Sequence, residues 1–420
     1  MSRWVDRSIK DLCVAIVDCV NKTAPSQTDP TPYKMLRTTN VRGGWVDTTN
    51  VKYVDEPTYA KWTRRMVPEP GDIILTREAP FGDVGMLRSD DQVFLGQRLV
   101  MYRPDLMECD PNFLMYSLMG PTVQAELKSL ASGSTVEHLR VPDCEKITVP
   151  CPPLYDQQTI GSILRSLDDS IENNRRRAEV LEEMARAIYR EWFEKFRYPG
   201  HEDVPLVDSC LGPIPKDWGI APASAAITVN PRIKLDKAVG HPFIAMGDLD
   251  ERTMVCRPSQ VRSEGSGAKF AQGDTLFARI TPCLENGKTG LVQSLADDEV
   301  GLGSTEFIVL RGREVGSAFT YCLARDRDFR KHAIASMSGA SGRQRVRNEC
   351  FDSYLLAVPP RGLADAFESS IEPLFSQVAV LTDETERLQQ LRDLLLPKLI
   401  TGQIDVSSLD LDALVGEQVA

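Results

Sequence analysis

Residues 338–348, SGASGRQRVRN, carry the side chains best suited to gripping a nucleic acid: Ser341, Arg343, Gln344, Arg345 and Arg347, set among small residues. Serine and glycine permit close backbone approach. Guanidinium groups bind guanine edges or phosphate through paired hydrogen bonds, and a glutamine amide matches adenine. Similar residues occupy other short loops. RTTNVRGG supplies Arg37, Thr38, Asn40 and Arg42; Gln97 and Arg98 follow a Leu-Gly turn; Gly133-Ser134-Thr135 lies close in sequence to His138 and Arg140. Farther along, Arg279 and Lys288 flank the loop after a Gly-Asp strand, and Ser304-Thr305 take the place of Gln97-Arg98. The bland reading of each stretch is a solvent-exposed turn.

Residues for covalent chemistry are missing. The four histidines, His138, His201, His241 and His332, form neither an HExxH motif nor a metal-ligand spacing. No GxxxxGK[ST] loop is present, and the glycine pair at 265–267 has no strand before it. Asn230-Pro231 lacks the second proline and the aromatic residue of the Asn-Pro-Pro-Tyr motif of adenine-N6 methyltransferases. Asp168-Asp169 reads as the solvated face of a helix. No catalytic, cofactor-binding or metal-binding residue is assigned, and the chain reads as non-catalytic.

The elements that position these loops come in two copies. PGDIILTREAPFGDVGML, from Pro70, is matched by QGDTLFARITPCLENGKTGLV, from Gln272, with the Gly-Asp pairs 202 residues apart. Pro152-Pro153 and Pro359-Pro360 lie 207 apart, and a helical pattern follows each. In the first helix the apolar seam runs Ile160, Leu164, Leu167, Ile171, Asn174, Ala178, Leu181, Ala185, Ile188, Trp192; in the second it runs Phe367, Ile371, Leu374, Val378, Leu381, Thr385, Leu388, Arg392, Leu395, Leu399. Alternating steps of four and three are the pattern of a coiled coil. Pro373 is expected to kink the second helix or break its first turns. Arg175-Arg176-Arg177 reads as a surface face neutralised by nearby glutamates. Trp192, Phe193 and Phe196 read as core or as a docking surface.

The predicted fold is α+β: two pseudo-repeated mixed α/β domains separated by two long antiparallel coiled-coil helices. Residues 1–153 form the first domain and 154–197 the central helix. Residues 198–360 form the second domain, entered through a Pro-rich linker at 201–218, and 361–402 the C-terminal helix. An acidic tail, 403–420, holds four acids and no Lys or Arg.

Composition sets the bounds. The 420 residues are 42% hydrophobic and 26% charged, the balance of an ordinary globular protein. No apolar run is long enough to span a membrane, and the N-terminus shows no secretory pattern. Ten cysteines are scattered without a CxxC, which argues for a reducing cytoplasm rather than a disulfide framework or a zinc site. The net charge of −11 disfavours nucleic-acid binding by bulk charge but leaves room for local basic patches.

The order of domain, Pro-Pro and long helix, twice over, resembles the specificity subunits of type I restriction–modification systems. CPPLYDQQTIGSILRSLDDSIENNRRRAEVLEEMARAIYREWF, GPIPKDW and LLLPKLITGQI look like that family's central and C-terminal conserved regions. The resemblance implies that each domain reads a few base pairs of double-stranded DNA as one half of an asymmetric, bipartite target. The helices would set the gap and dock two modification subunits; about 40 residues of helix, roughly 60 Å, correspond to roughly 18 base pairs. It further implies that no cofactor is bound by this chain. S-adenosylmethionine would belong to the modification subunits, with ATP and Mg2+ if restriction subunits are also present. The competing reading is a coiled-coil scaffold with two repeated protein-binding modules.

Overall fold

Each Gly-Asp pair closes a turn that opens a buried strand. Gly71 and Gly273 take left-handed φ values of +97° and +82°, which glycine adopts without strain. Asp72 then accepts a hydrogen bond from the Glu69 N–H at 2.8 Å, and Asp274 accepts one from the Ala271 N–H at 2.8 Å. The strands that follow are Ile73–Arg77 and Thr275–Ala278. Both carboxylates are buried, and each is held by two hydrogen bonds from an arginine on the neighbouring strand. Arg103 reaches Asp72 at 2.8 and 2.7 Å, and Arg311 reaches Asp274 at 2.6 and 2.7 Å.

The computed structural model describes residues 4–132, 137–340 and 342–407. The chain divides into two units, one within 1–170 and 387–420, the other within 171–386. In the first unit a six-stranded sheet has the order Cys13–Asp18, Leu99–Pro104, Ile73–Arg77, Phe81–Met86, Gly44–Val46, Val41–Arg42. In the second, a four-stranded sheet runs Ile227–Val229, Phe307–Gly312, Thr275–Ala278, Thr289–Leu291. Beside the first, strand Lys34–Leu36 pairs in parallel with Val93–Leu95; beside the second, His241–Ile244 pairs in parallel with Gly301–Gly303. Helices Pro111–Met119 and Pro121–Leu130 belong to the first unit, and Ser317–Arg325 and Arg327–Ala335 to the second.

The long helices are Leu154–Tyr189, closed by a π-helical turn at Arg190–Glu194, and Arg361–Ile400. In the first unit Asp168 of the central helix meets Arg392 of the C-terminal helix, at 2.8 Å. In the second, Tyr189, Trp192 and Phe193 pack on Phe367, with ring centroids 6.2, 5.6 and 4.8 Å apart. Early residues of one helix thus meet late residues of the other, so the pairing is antiparallel.

The buried face differs from the predicted seam. Beyond Leu164 it passes through Asp168, Ile171, Asn174, Ala178, Glu182, Ala185, Tyr189 and Phe193, while Leu167, Leu181, Ile188 and Trp192 are half-buried. From Ile160 to Phe193, nine steps cover 33 residues, close to the 3.6-residue turn of a straight helix rather than 3.5. Two acids therefore enter the interior. Asp168 is not a solvated residue: it is 2% exposed, accepts from the Tyr116 hydroxyl at 2.6 Å and pairs with Arg392. Glu182 accepts from the Tyr321 hydroxyl at 2.7 Å and the Met254 N–H at 2.8 Å, beside Arg325 at 3.7 Å. Burial still pushes the Glu182 carboxyl above its ordinary range, against Arg325 and the tyrosine.

Three other expectations need correction or refinement. Pro373 does not break the helix, since Arg361–Ile400 is continuous; the proline is exposed, while Phe367, Ile371, Phe375 and Val378 on either side are buried and hold both turns to the core. Residues 201–218 are more than a linker. Leu206–Val207 pairs with Ile214–Pro215, and buried Trp218 stacks on Tyr198 with centroids 5.6 Å apart. Phe193 is core, buried against Trp218, Phe319 and Phe367. No helix among the described residues is long and apolar enough to cross a membrane.

Candidate nucleic-acid interface

The first strand after a Gly-Asp turn ends in Arg77 and the second is followed directly by Arg279, and each arginine holds down a loop. Arg77, 8% exposed, donates from Nη1 to the Leu139 carbonyl at 3.1 Å, and the Leu139 N–H returns a bond to the Arg77 carbonyl at 3.0 Å. In the second unit the Arg279 Nη2 donates to the Val346 carbonyl at 2.7 Å, and the Val346 N–H donates to the Arg279 carbonyl at 2.9 Å. Each tether fixes the base of a loop closed by two backbone bonds. Ser132 and His138 exchange bonds of 2.9 and 3.0 Å; Ser338 and Arg345 exchange bonds of 3.1 and 3.0 Å. The candidates Ser134, Thr135 and Ser341 belong to these loops and lie outside the described residues.

A carboxylate anchors the loop closure in each unit, from a different strand. In the first unit Glu78, just past Arg77, faces both Arg98 and His138 Nδ1 at 3.3 Å. In the second, Glu306, just before strand Phe307–Gly312, takes Arg345 in a two-pronged pair at 2.6 and 2.8 Å. Arg345 holds the Glu306 carboxyl below the usual carboxylate range.

Around Glu78 the fold gathers three of the predicted loops. The Thr38 hydroxyl donates to the Ala79 carbonyl at 2.9 Å, Gln97 accepts from the Thr23 hydroxyl at 3.3 Å, and Arg98 adopts φ +68°, a left-handed conformation that only a constrained turn sustains in a non-glycine residue. Gln97 and Arg42 are exposed, Arg42 on the edge strand Val41–Arg42. Arg140 pairs with Asp143 at 2.7 Å instead of standing free.

Several candidates already have partners within the protein. Asn40, 3% exposed, accepts from the Arg37 N–H at 2.9 Å and donates to the Asn50 carbonyl at 2.8 Å, so both ends of its amide hold the loop. Arg37 also donates to the Asn50 carbonyl, at 2.9 Å. Arg279 is the loop tether. Lys288 donates to the Met246 carbonyl at 3.0 Å, and the Ser304 hydroxyl accepts from the Glu306 N–H at 3.2 Å. Arg345 is committed to Glu306 and Arg347 to the Ser338 hydroxyl, at 3.0 Å. Exposed Arg343 and half-buried Gln344 remain at the loop end. Sequence reading overlooked Arg77, Glu78 and Glu306. A signal for the first was present: Arg77 and Arg279 are 202 residues apart, and their acceptors Leu139 and Val346 are 207 apart, the same offsets as the duplicated motifs.

Comparison with known proteins finds a consistent likeness. A model of the type I restriction modification DNA specificity domain matches residues 1–183. The specificity subunit of type I restriction enzyme MjaIX from Methanocaldococcus jannaschii is 23% identical over 368 residues, covering 85% of this chain and 82% of its own length. That of the putative type I enzyme MjaX from the same organism is 22% identical, covering 96% and 94%. Over most of its length, therefore, this chain is similar to type I restriction–modification specificity subunits, and its first 183 residues match their DNA specificity domain. The crystal structure of such an S subunit from M. genitalium shares its fold, with a TM-score of 0.59 at 15% identity, covering 95% of this chain and 96% of that one.

Proposed function

We propose that this chain is a non-catalytic specificity subunit of a type I restriction–modification complex, that it reads an asymmetric, bipartite DNA target, one half through each arginine-tethered loop region, and that it docks two modification subunits that methylate adenine at N6. The observation that carries the reading is the paired tether: Arg77 on Leu139 and Arg279 on Val346 present differently composed loops from equivalent strands. A common scaffold with unlike tips suits two unlike half-sites. Arg42, Gln97, Arg98, Arg343 and Gln344, with Ser134 and Ser341, are the side chains assigned to DNA. The recognition domains are 1–153 and 198–360, copies of an internal repeat. The helical segments 154–197 and 361–402 form a coiled-coil spacer that sets the gap, followed by the acidic tail.

In this reading the chain binds no cofactor and acts in the cytoplasm. S-adenosylmethionine serves the modification subunits, and ATP and Mg2+ serve restriction subunits where these join. The test is co-expression with the cognate modification subunit in a host lacking adenine methylation, followed by genome-wide mapping of N6-methyladenine. One bipartite motif with a fixed gap is expected. A folded, co-purifying complex that leaves no methylated adenine overturns the proposal and favours a protein scaffold.

A further inference from the structure

A second feature of the 171–386 unit has no place in the tethered-loop scheme. A cleft of about 380 Å³ opens between the segment 230–233, the segment 266–269 and the start of strand Phe307–Gly312. Ile233, Phe307 and Val309 contribute apolar surface; Arg232, Lys269, Ser266 and Thr305 supply polar groups. Asn230 shapes the cleft rather than serving it. In a left-handed conformation, φ +51°, it accepts from the Val309 N–H at 2.9 Å through its side chain and donates its own N–H to the Val309 carbonyl at 2.7 Å. The Asn-Pro pair thus turns the chain at the sheet edge and delivers Arg232 to the cleft.

The charges decide what the cleft accepts. Several arginines in this unit are claimed by carboxylates: Arg311 by Asp274, Arg325 by Glu182, Arg345 by Glu306 and Arg257 by Asp383 and Glu386. Among the described residues no carboxylate lies within ion-pairing distance of Arg232 or Lys269, nor of Lys234 and Lys237 just beyond. In a chain of net charge −11 such an uncompensated group is an electrostatic opening for an anion. The cleft also adjoins the recognition loop through successive residues: Thr305 lines it, and Glu306 anchors Arg345.

We propose that the cleft seats the sugar-phosphate backbone of the DNA whose bases meet the Arg343–Gln344 loop end, with Arg232 and Lys269 each neutralising a phosphate and the Ser266 and Thr305 hydroxyls donating to phosphate oxygens. Contacts of this kind fix orientation and register without reading sequence. The inference rests on the DNA-reading function above and adds the backbone site of the second half.

The test uses the complex with the modification subunit and a duplex carrying the motif mapped by adenine methylation. For the Arg232→Gln/Lys269→Gln variant, binding at about 0.15 M salt weakens about tenfold, and the slope of log affinity against log salt flattens by about 2, near 0.9 for each lost phosphate contact. The methylated motif stays the same in both halves. Lys269→Arg, alone, keeps wild-type affinity, and Arg232→Glu/Lys269→Glu weakens binding further with an unchanged circular dichroism spectrum. Wild-type affinity and salt slope in the Gln variant overturn the cleft assignment while leaving the DNA-reading function intact, as does a changed second half-motif, which would mean base contact instead. Loss of the modification subunit from the variant complex at unchanged DNA affinity overturns it in favour of a protein contact. A wild-type complex that binds no duplex refutes the DNA-reading function itself.

Discussion

Glu368 and Gly316 fit only as a pair. Helix Ser317–Arg325 begins after Gly316, which has no side chain to cap it, and the Glu368 carboxylate supplies the cap from the C-terminal helix, accepting from the Ala318 N–H at 2.9 and 3.1 Å and the Ser317 hydroxyl at 2.7 Å. A Cβ on Gly316 would collide with that carboxylate. In the first unit the two roles are exchanged. Asp110 caps helix Pro111–Met119 from its own position, accepting from the Phe113 N–H at 2.8 Å, and the central helix presents Gly161, where a Cβ would strike Asp110.

That exchange predicts a double-mutant cycle. Glu368→Gly uncaps Ser317–Arg325 and places a glycine inside the C-terminal helix, at a cost of about 2–3 kcal/mol. Gly316→Asp costs at least as much by driving two carboxylates together. Combined as Gly316→Asp/Glu368→Gly, the losses largely cancel, because the pair then copies Asp110 and Gly161. Denaturant midpoints for the four proteins measure the coupling; additive losses would refute the relationship.

Arg311→Met leaves Asp274 buried without its cation. The loss is expected at about 3 kcal/mol, toward the lower end for a broken buried pair because the Arg311 side chain is 38% exposed. Asp274→Asn/Arg311→Met recovers part of it by removing the stranded charge. Thermal melts of the single and double variants distinguish this from a surface pair, for which both would lie within about 1 kcal/mol of wild type.

Acidity at Glu194 gives a pH signature. Burial, then the neighbouring Asp326 carboxylate, raise the Glu194 carboxyl from 4.5 to about 7. A carboxyl raised in the folded state contributes stability below its unfolded value and loses it as pH climbs toward the folded one. Wild type should therefore weaken between about pH 4.5 and 7 in a way that Glu194→Gln does not. Above pH 7 the variant is more stable by about 1 kcal/mol, a figure reduced for the group's partial exposure. Melting curves at pH 5 and pH 8 should show the difference only at the higher pH; a constant offset would assign it to packing.

Arg343→Ala/Gln344→Ala should alter or abolish recognition of one half of the methylated motif and leave the other half and the gap unchanged, with a loss of about 1–3 kcal/mol for each base contact removed. Arg42→Ala/Gln97→Ala should do the same to the opposite half. Methylation mapping reads both. A pair of variants that disturb the same half would contradict one recognition domain per half-site.

The strands after each Gly-Asp turn and the starts of the long helices at Leu154 and Arg361 were legible from local pattern. The buried face of the central helix was not. Leu167 and Leu181 outrank Asp168 and Glu182 on any apolar scale, and the groups that make the acids tolerable, Tyr116 and Arg392 for one, Tyr321 and Arg325 for the other, lie far away in sequence. Residue type likewise marked Arg279, Arg345 and Asn40 as able to contact DNA. It could not show that Val346, Glu306 and Asn50 already hold them, because a hydrogen bond is a property of the folded pair.

The tethers from Arg77 and Arg279 have an evolutionary consequence. Both grip main-chain carbonyls, which every amino acid carries, and the loop closures at Ser132 and Ser338 are likewise main-chain bonds. Side chains at the loop ends are thereby released from any duty in holding the loop's base. A lineage can rewrite them one at a time and acquire a new target preference without crossing a valley of unfolded intermediates.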